Sequence, residues 1–306
     1  MGVAWTASDR TATLRRRASS ACAANHQSSQ ILGAGCPGAV VVPRIMKFGI
    51  NTLRWTDDFD LEQVPPLAEI RKWGYDGLEI TRRRLTRFPA RILRESARNE
   101  GLDLTLCASL PEGLSLVSAE ESVRSAALEY VERAIEMAAE LGSPVLAGPF
   151  FSQGAMDDED TWRRGVEAVQ ILTAAMRECD VTLAVEPQNC YQSSFLRTCS
   201  DAAHLCRAVH DPYLGVTFDT FHANIEEDHP AAALAGLEQY LTHVHVAENH
   251  RGMPGSGHLP WMDLFTALQE NQYAGWVVVE AFTGDPENGL RHLHKILAAT
   301  HAAAVR

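Results

Sequence analysis

The chain has 306 residues, 46% of them hydrophobic and 22% charged, with a formal net charge of −12. This composition supports a large buried core and excludes a chain disordered throughout. It also excludes nucleic acid and anionic membranes as partners, because neutralising phosphates takes clustered Lys and Arg. Seven cysteines at irregular spacings, with no CxxC pair, read as free thiols of a reducing cytoplasm rather than a disulfide framework. No apolar run approaches the ~18 residues that cross a bilayer, so a soluble cytoplasmic protein is expected.

Residues 1–45 are rich in Ala, Ser and Arg, and Asp9 is their only acid. They read as a disordered extension ahead of an internal start at Met46, leaving residues 46–306 as a single catalytic domain. From Met46 onward, short apolar runs alternate with amphipathic stretches, the pattern of repeated βα units on a parallel sheet. Eight strands are predicted: Lys47–Asn51, Gly77–Ile80, Leu102–Cys107, Pro144–Gly148, Thr182–Glu186, Gly215–Asp219, Leu241–Val246 and Gly275–Glu280. Helical spacing marks Leu61–Trp73, Ser118–Leu141, Thr161–Cys179, Asp201–Val209, Trp261–Asn271 and Asn288–Ala304. Eight such pairs match a closed (β/α)8 TIM barrel; a doubly wound sheet fits less well, since no Gly-rich dinucleotide turn follows the first strand.

Active sites of such barrels lie at the C-terminal strand ends. Four successive strands end in metal-ligand types: Glu186 in LAVEP, Asp219 in GVTFD, His245 in THVHV and Glu280 in VVVE. One such residue would read as a polar strand cap. Four in a row, each closing an apolar run, point to a shared cation, because a lone buried carboxylate is costly. A mostly oxygen donor set suits Mn²⁺, Co²⁺ or Mg²⁺, which would polarise a ketone and its neighbouring hydroxyl. Glu186 and Glu280, from non-adjacent strands, are then candidates to remove a proton and return it to the opposite face. His222 and Arg251 follow strands six and seven, where they could hold an enediolate or its precursor. Leu53, Trp55, Phe150 and Trp261 sit at other strand mouths as possible pocket walls, although core packing suits each of them alone.

The blocks AVEP, FDTFHANIEE, HVHVAENHRGMPGSGHLPW and GWVVVEAF resemble the D-tagatose and D-allulose (D-psicose) 3-epimerases, within the xylose-isomerase-like sugar isomerase and epimerase barrels. The resemblance is densest over residues 183–282 and thins toward FGIN near Met46. It implies Glu186, Asp219, His245 and Glu280 as ligands of Mn²⁺ or Co²⁺, the two glutamates as the acid–base pair, and His222 and Arg251 as contacts to the ketose. Relatives of this kind form dimers or tetramers. After the first ligand the family carries an Arg and then a substrate-binding Glu, where this chain has Cys190 and Gln192 in EPQNCYQ. Gln192 is thus expected to face the sugar with a neutral amide.

Other chemistries fit less well. Lysines occur only at positions 47, 72 and 295, none at an inner strand end, which counts against a Schiff-base aldolase and a lysine-assisted hydride shift. A sugar-binding protein without turnover would have no need of four ligands. The open alternative is a metal-dependent isomerase or lyase for another keto-sugar: a 3-keto-glycoside, an inosose or a sugar phosphate. Gly252, Gly255 and Gly257 follow strand seven, a region where many barrels hold phosphate.

Overall fold

A computed structural model describes residues 46–85, 89–151, 156 and 158–304. The extension expected over residues 1–45 lies outside the described residues. Eight parallel strands close into a barrel in chain order: β1 Lys47–Asn51, β2 Gly77–Arg82, β3 Asp103–Ala108, β4 Val145–Gly148, β5 Thr182–Val185, β6 Leu214–Asp219, β7 Leu241–Val246 and β8 Trp276–Val279. β8 pairs with β1 to complete the ring. Outward strand residues such as Leu78, Ile80, Val244 and Val246 join helical residues such as Val131, Leu172 and Leu264 in one buried core.

The helices are α1 Leu67–Trp73, α2 Ala90–Asn99, α3 Glu121–Leu141, α4 Glu159–Cys179, α5 Cys199–Val209, α6 Thr220–Glu226, α7 Pro230–Ala235, α8 Trp261–Glu270 and α9 Pro286–Ala304. Several start where capping chemistry dictates. Asp158 accepts from the Thr161 amide at α4, and Thr198 and Asp201 form a reciprocal capping box at α5. The single helix expected over Leu61–Trp73 is instead a short 3₁₀ turn, Leu61–Gln63, followed by α1. Pro65 and Pro66 explain the break: proline supplies no amide and pushes the residue before it out of helical geometry. The spacing argument also left α2, α6 and α7 unassigned.

The barrel interior is layered. Trp276 plugs one layer, and a Cβ on Gly77 would come within 2.6 Å of its ring, so glycine is required there. In another layer Asn51, Glu79 and Thr105 stand side by side in register across β1, β2 and β3. On the opposite wall Thr217 pairs with His243 and Asp219 with His245. Parallel pairing sends in-register residues to the same face, so these polar side chains meet inside the barrel.

Candidate active site

Asp219 is the last residue of β6 and also the N-cap of α6, its Oδ1 accepting from the Phe221 amide at 2.7 Å. Glu186 and Glu280 each lie one residue past the end of their strand. Their amides donate to the carbonyls of Gly148 and Val246, which fixes where the side chains leave the backbone. His245 points inward from β7. Glu186, Asp219, His245 and Glu280 are all buried, and one ligand atom from each lies within 4.8 Å of the others. His245 Nδ1 is 2.9 Å from Glu186 Oε1 and 3.9 Å from Glu280 Oε2. Arg251 Nη1 lies 2.8 Å from both Asp219 Oδ2 and Glu280 Oε2. Asp219 Oδ2, although buried, has no aligned hydrogen-bond donor. Three carboxylates, an imidazole and a buried oxygen without an aligned donor make a donor set that fits a hard divalent cation.

The electrostatics of Glu280, Asp219 and His245 differ sharply. Burial pushes the Glu280 carboxyl up to about 7, with Glu186 and Asp219 adding to the effect and His245 and Arg251 opposing it. Burial would also raise Asp219, but Arg251, His222 and His245 outweigh it and bring that group down to about 2. For His245, burial favours the neutral ring, yet Glu280, Glu79 and Glu186 hold it well above the ordinary imidazole range.

Glu79 was not among the residues read from the sequence. It is fully buried, with Oε1 2.7 Å from His245 Nε2 and Oε2 2.8 Å from His243 Nε2. Asn51 Nδ2 and Thr105 Oγ1 donate to it at 2.9 and 3.0 Å, and the same Asn51 amide reaches Glu280 Oε1 at 3.2 Å. Burial alone would raise the Glu79 carboxyl, but His243 and His245 hold it well below the usual carboxylate range. The signal was present in YDGLEI: a carboxylate in the middle of an apolar strand, at an inward register position, demands partners.

His222 lies in the first turn of α6 with 2% exposure. Its Nδ1 accepts from the Asn189 amide at 3.2 Å and is 2.9 Å from Asn189 Nδ2; its Nε2 is 3.1 Å from Arg251 Nη2 and 3.7 Å from Asp219 Oδ2. Arg251 adopts φ +56°, unusual without glycine, and is locked by its amide to the Glu248 carbonyl and by its carbonyl to the Phe282 amide. Its guanidinium carbon sits 4.3 Å from the centroid of Phe221. Glu248 is fully buried and staples the surrounding loop: it accepts from the Gly255 and Leu259 amides and from Trp261 Nε1. Trp261 thus packs under this loop, Phe150 joins the hydrophobic core, and Leu53 and Trp55 lie half-buried in the turn after β1. Trp55 stacks on Trp73. Gln192 is exposed, with Oε1 accepting from Gln188 Nε2 at 3.2 Å, and Cys190 beside it is exposed as well.

Residues 67–300 match the xylose isomerase-like TIM barrel family. The chain belongs to this family. A probable ketose 3-epimerase of Synechocystis sp. is 33% identical over 86% of this chain and 94% of its own length. A 3-dehydro-D-guloside 4-epimerase of Escherichia coli is 30% identical over 77% of this chain and 92% of its own. A solved L-ribulose 3-epimerase shares the fold with a TM-score of 0.78 at 22% identity, covering 85% of this chain and 97% of the other. The chain is thereby placed among the carbohydrate epimerases, an isomerase class. No helix among the described residues is long and apolar enough to cross a membrane.

Proposed function

We propose that the protein is a metal-dependent ketose 3-epimerase, inverting C3 of a free ketose of the D-allulose or D-tagatose type. The observation that carries this reading is the convergence of Glu186, Asp219, His245 and Glu280 on one buried point beside the Arg251 guanidinium. These four would hold Mn²⁺ or Co²⁺, and Mg²⁺ suits the same donors. A divalent cation held there would supply Lewis acidity to the substrate and make the C3 hydrogen more acidic. One glutamate takes that proton while the C3–H electron pair forms the C2–C3 double bond of an enediolate. The other glutamate, protonated, delivers its proton to the opposite face of C3. Arg251 and His222 hold the sugar oxygens on which negative charge develops. Glu79 positions His245 by accepting from Nε2, which turns Nδ1 toward Glu186.

Sugar phosphates are disfavoured by the glycine loop after β7. Its Gly255 amide already donates to Glu248, and a Cβ on Gly257 would meet Glu248 Oε2 at 2.5 Å, so the loop wraps a carboxylate rather than a phosphate. A 3-keto-glycoside remains the second reading, favoured by the exposed neutral Gln192 and by the 30% identity to a dehydro-guloside epimerase. The deciding experiment is a product screen after chelation and reloading with Mn²⁺ or Co²⁺, across free ketohexoses, ketopentoses and 3-keto-glycosides. Turnover of a free ketose to its C3 epimer supports the proposal; turnover of oxidised glycosides alone supports the second reading.

A further inference from the structure

We infer that Glu248 is a positioning residue for Arg251: its buried carboxylate ties the chain just past β7 to the start of α8, and so holds the loop between them with the guanidinium aimed at Asp219 and Glu280. Three groups converge on that carboxylate. The Gly255 amide and Trp261 Nε1 each donate to Oε1 at 2.7 Å, and the Leu259 amide donates to Oε2 at 3.2 Å. None of the three can accept, so both oxygens have to. A side-chain amide in the same place offers one oxygen, and whichever way it turns it sets its NH₂ against at least one of these donors. Space is equally exacting, since a Cβ on Gly257 would lie 2.5 Å from Glu248 Oε2. Glu248 is fully buried, and the loop's own donors replace the water it gave up.

Arg251 stands inside the turn that this carboxylate closes. Its amide donates to the Glu248 carbonyl, and the Glu248 amide donates to the Gly252 carbonyl, both at 2.9 Å. On the far side the Arg251 carbonyl accepts from the Phe282 amide at 2.7 Å. At φ +56° the residue lies where an arginine stays only if its surroundings hold it there. That backbone delivers Nη1 to 2.8 Å from both Asp219 Oδ2 and Glu280 Oε2. The guanidinium carbon rests 4.3 Å from the ring centroid of Phe221 and 5.7 Å from that of Phe282. Loosening the Glu248 tie lets the turn relax toward negative φ and swings the guanidinium away from the two carboxylates. The partners of the Glu248 side chain lie on the loop and at the first residue of α8, so its effect on a sugar passes through Arg251. That Arg251 meets a ketose oxygen rests on the proposed function, whereas the way Arg251 is held does not.

The test reads Arg251 directly and then its coupling to Glu248. The full-length chain, labelled with ¹⁵N-arginine and loaded with diamagnetic Mg²⁺, is compared with Glu248→Gln by ¹H–¹⁵N correlation spectroscopy without any sugar present. The Arg251 Nε signal is assigned by its loss in Arg251→Ala. The wild type should show a sharp Nε–H signal displaced by the neighbouring aromatic rings, and Glu248→Gln should return it toward the free-arginine position; an unmoved signal overturns the inference. Next, kcat/KM and Tm are measured for the wild type, Glu248→Gln, Arg251→Ala and the double variant, on whichever sugar the wild type turns over. Glu248→Gln is expected to lower kcat/KM by about tenfold or more beside an intact Arg251. Once Arg251 is alanine the same change should cost less than about twofold, because the two substitutions remove one interaction. A purely structural role would give equal losses of kcat/KM in both backgrounds; that result, or no loss in either, overturns the inference. Should Glu248→Gln fail to fold, Gly257→Ala, which crowds the carboxylate without removing it, takes its place with the same expectations. An Arg251 signal that moves as expected in a protein that epimerises no ketose would refute the functional reading alone.

Discussion

The two halves of the barrel build the site in different ways. From β5 to β8, each strand delivers one ionisable side chain within one residue of its C-terminal end, and those four meet at a single point. From β1 to β3, Asn51, Glu79 and Thr105 contribute an in-register row that touches the first set only through His245 and Glu280. His245 joins the halves, with Glu186 on one ring nitrogen and Glu79 on the other. On the proposed function, the second half would hold the groups that do chemistry, while the first half would decide how they point. A site built from loose strand ends would lack the orientation that such a buried row enforces.

If that division holds, substitutions in the second half should stop turnover, and those in the first should weaken binding of the cation. Glu186→Gln and Glu280→Gln are each expected to lower kcat by ~10²–10⁴-fold, with bound metal measured alongside to separate proton transfer from ligation. Chelation should abolish activity and lower Tm, and Mn²⁺ or Co²⁺ should restore both. A cation at 100 times its dissociation constant stabilises the native state by about 2.7 kcal/mol. Glu79→Gln, in the first half, is expected to weaken cation binding by ~10–100-fold in titration calorimetry while leaving the residual kcat of the loaded enzyme closer to wild type. A Glu79 variant that loses kcat with unchanged cation affinity would erase the proposed division. The smallest effect is expected at the rim: Gln192→Glu should change kcat/KM on free ketoses by about tenfold, the difference between a neutral and a charged hydrogen bond. An increase would mark a weakened ketose clamp. A decrease confined to oxidised glycosides would mark a reshaped pocket, and no change on any sugar would leave Gln192 with Gln188 at the surface.

The strands of both halves were legible in the sequence because each is a short apolar run between turn signals; β1 and β7 match the expected bounds residue for residue, and the other six agree to within two residues. The strand-end set was legible for a related reason: an acid or imidazole that closes an apolar run stands out. Glu79 did not stand out. It lies inside its strand, and the search of strand ends passed over it, although a buried carboxylate among GLEI needed partners as much as Glu280 did. The Asn189 contact was hidden differently, since it reaches His222 Nδ1 through a backbone amide, and an amide's direction depends on the loop path rather than on residue type. Pro65 and Pro66 were visible as residues, yet the apolar spacing across them was given more weight than their missing amides. The short helices α6 and α7, of 7 and 6 residues, are too brief to display a helical period.

The central claim is proton transfer at C3 of a free ketose by groups gathered around one cation, and isotope exchange addresses it most directly. The protein, stripped and reloaded with Mn²⁺ or Co²⁺, is incubated with D-fructose, D-allulose or D-tagatose in D₂O, and the recovered sugars are read by ¹H NMR after metal removal. The account predicts the C3 epimer with solvent deuterium at C3, and no reaction in the metal-free sample. Epimer formed without deuterium at C3, or exchange at another carbon in place of C3, would contradict it.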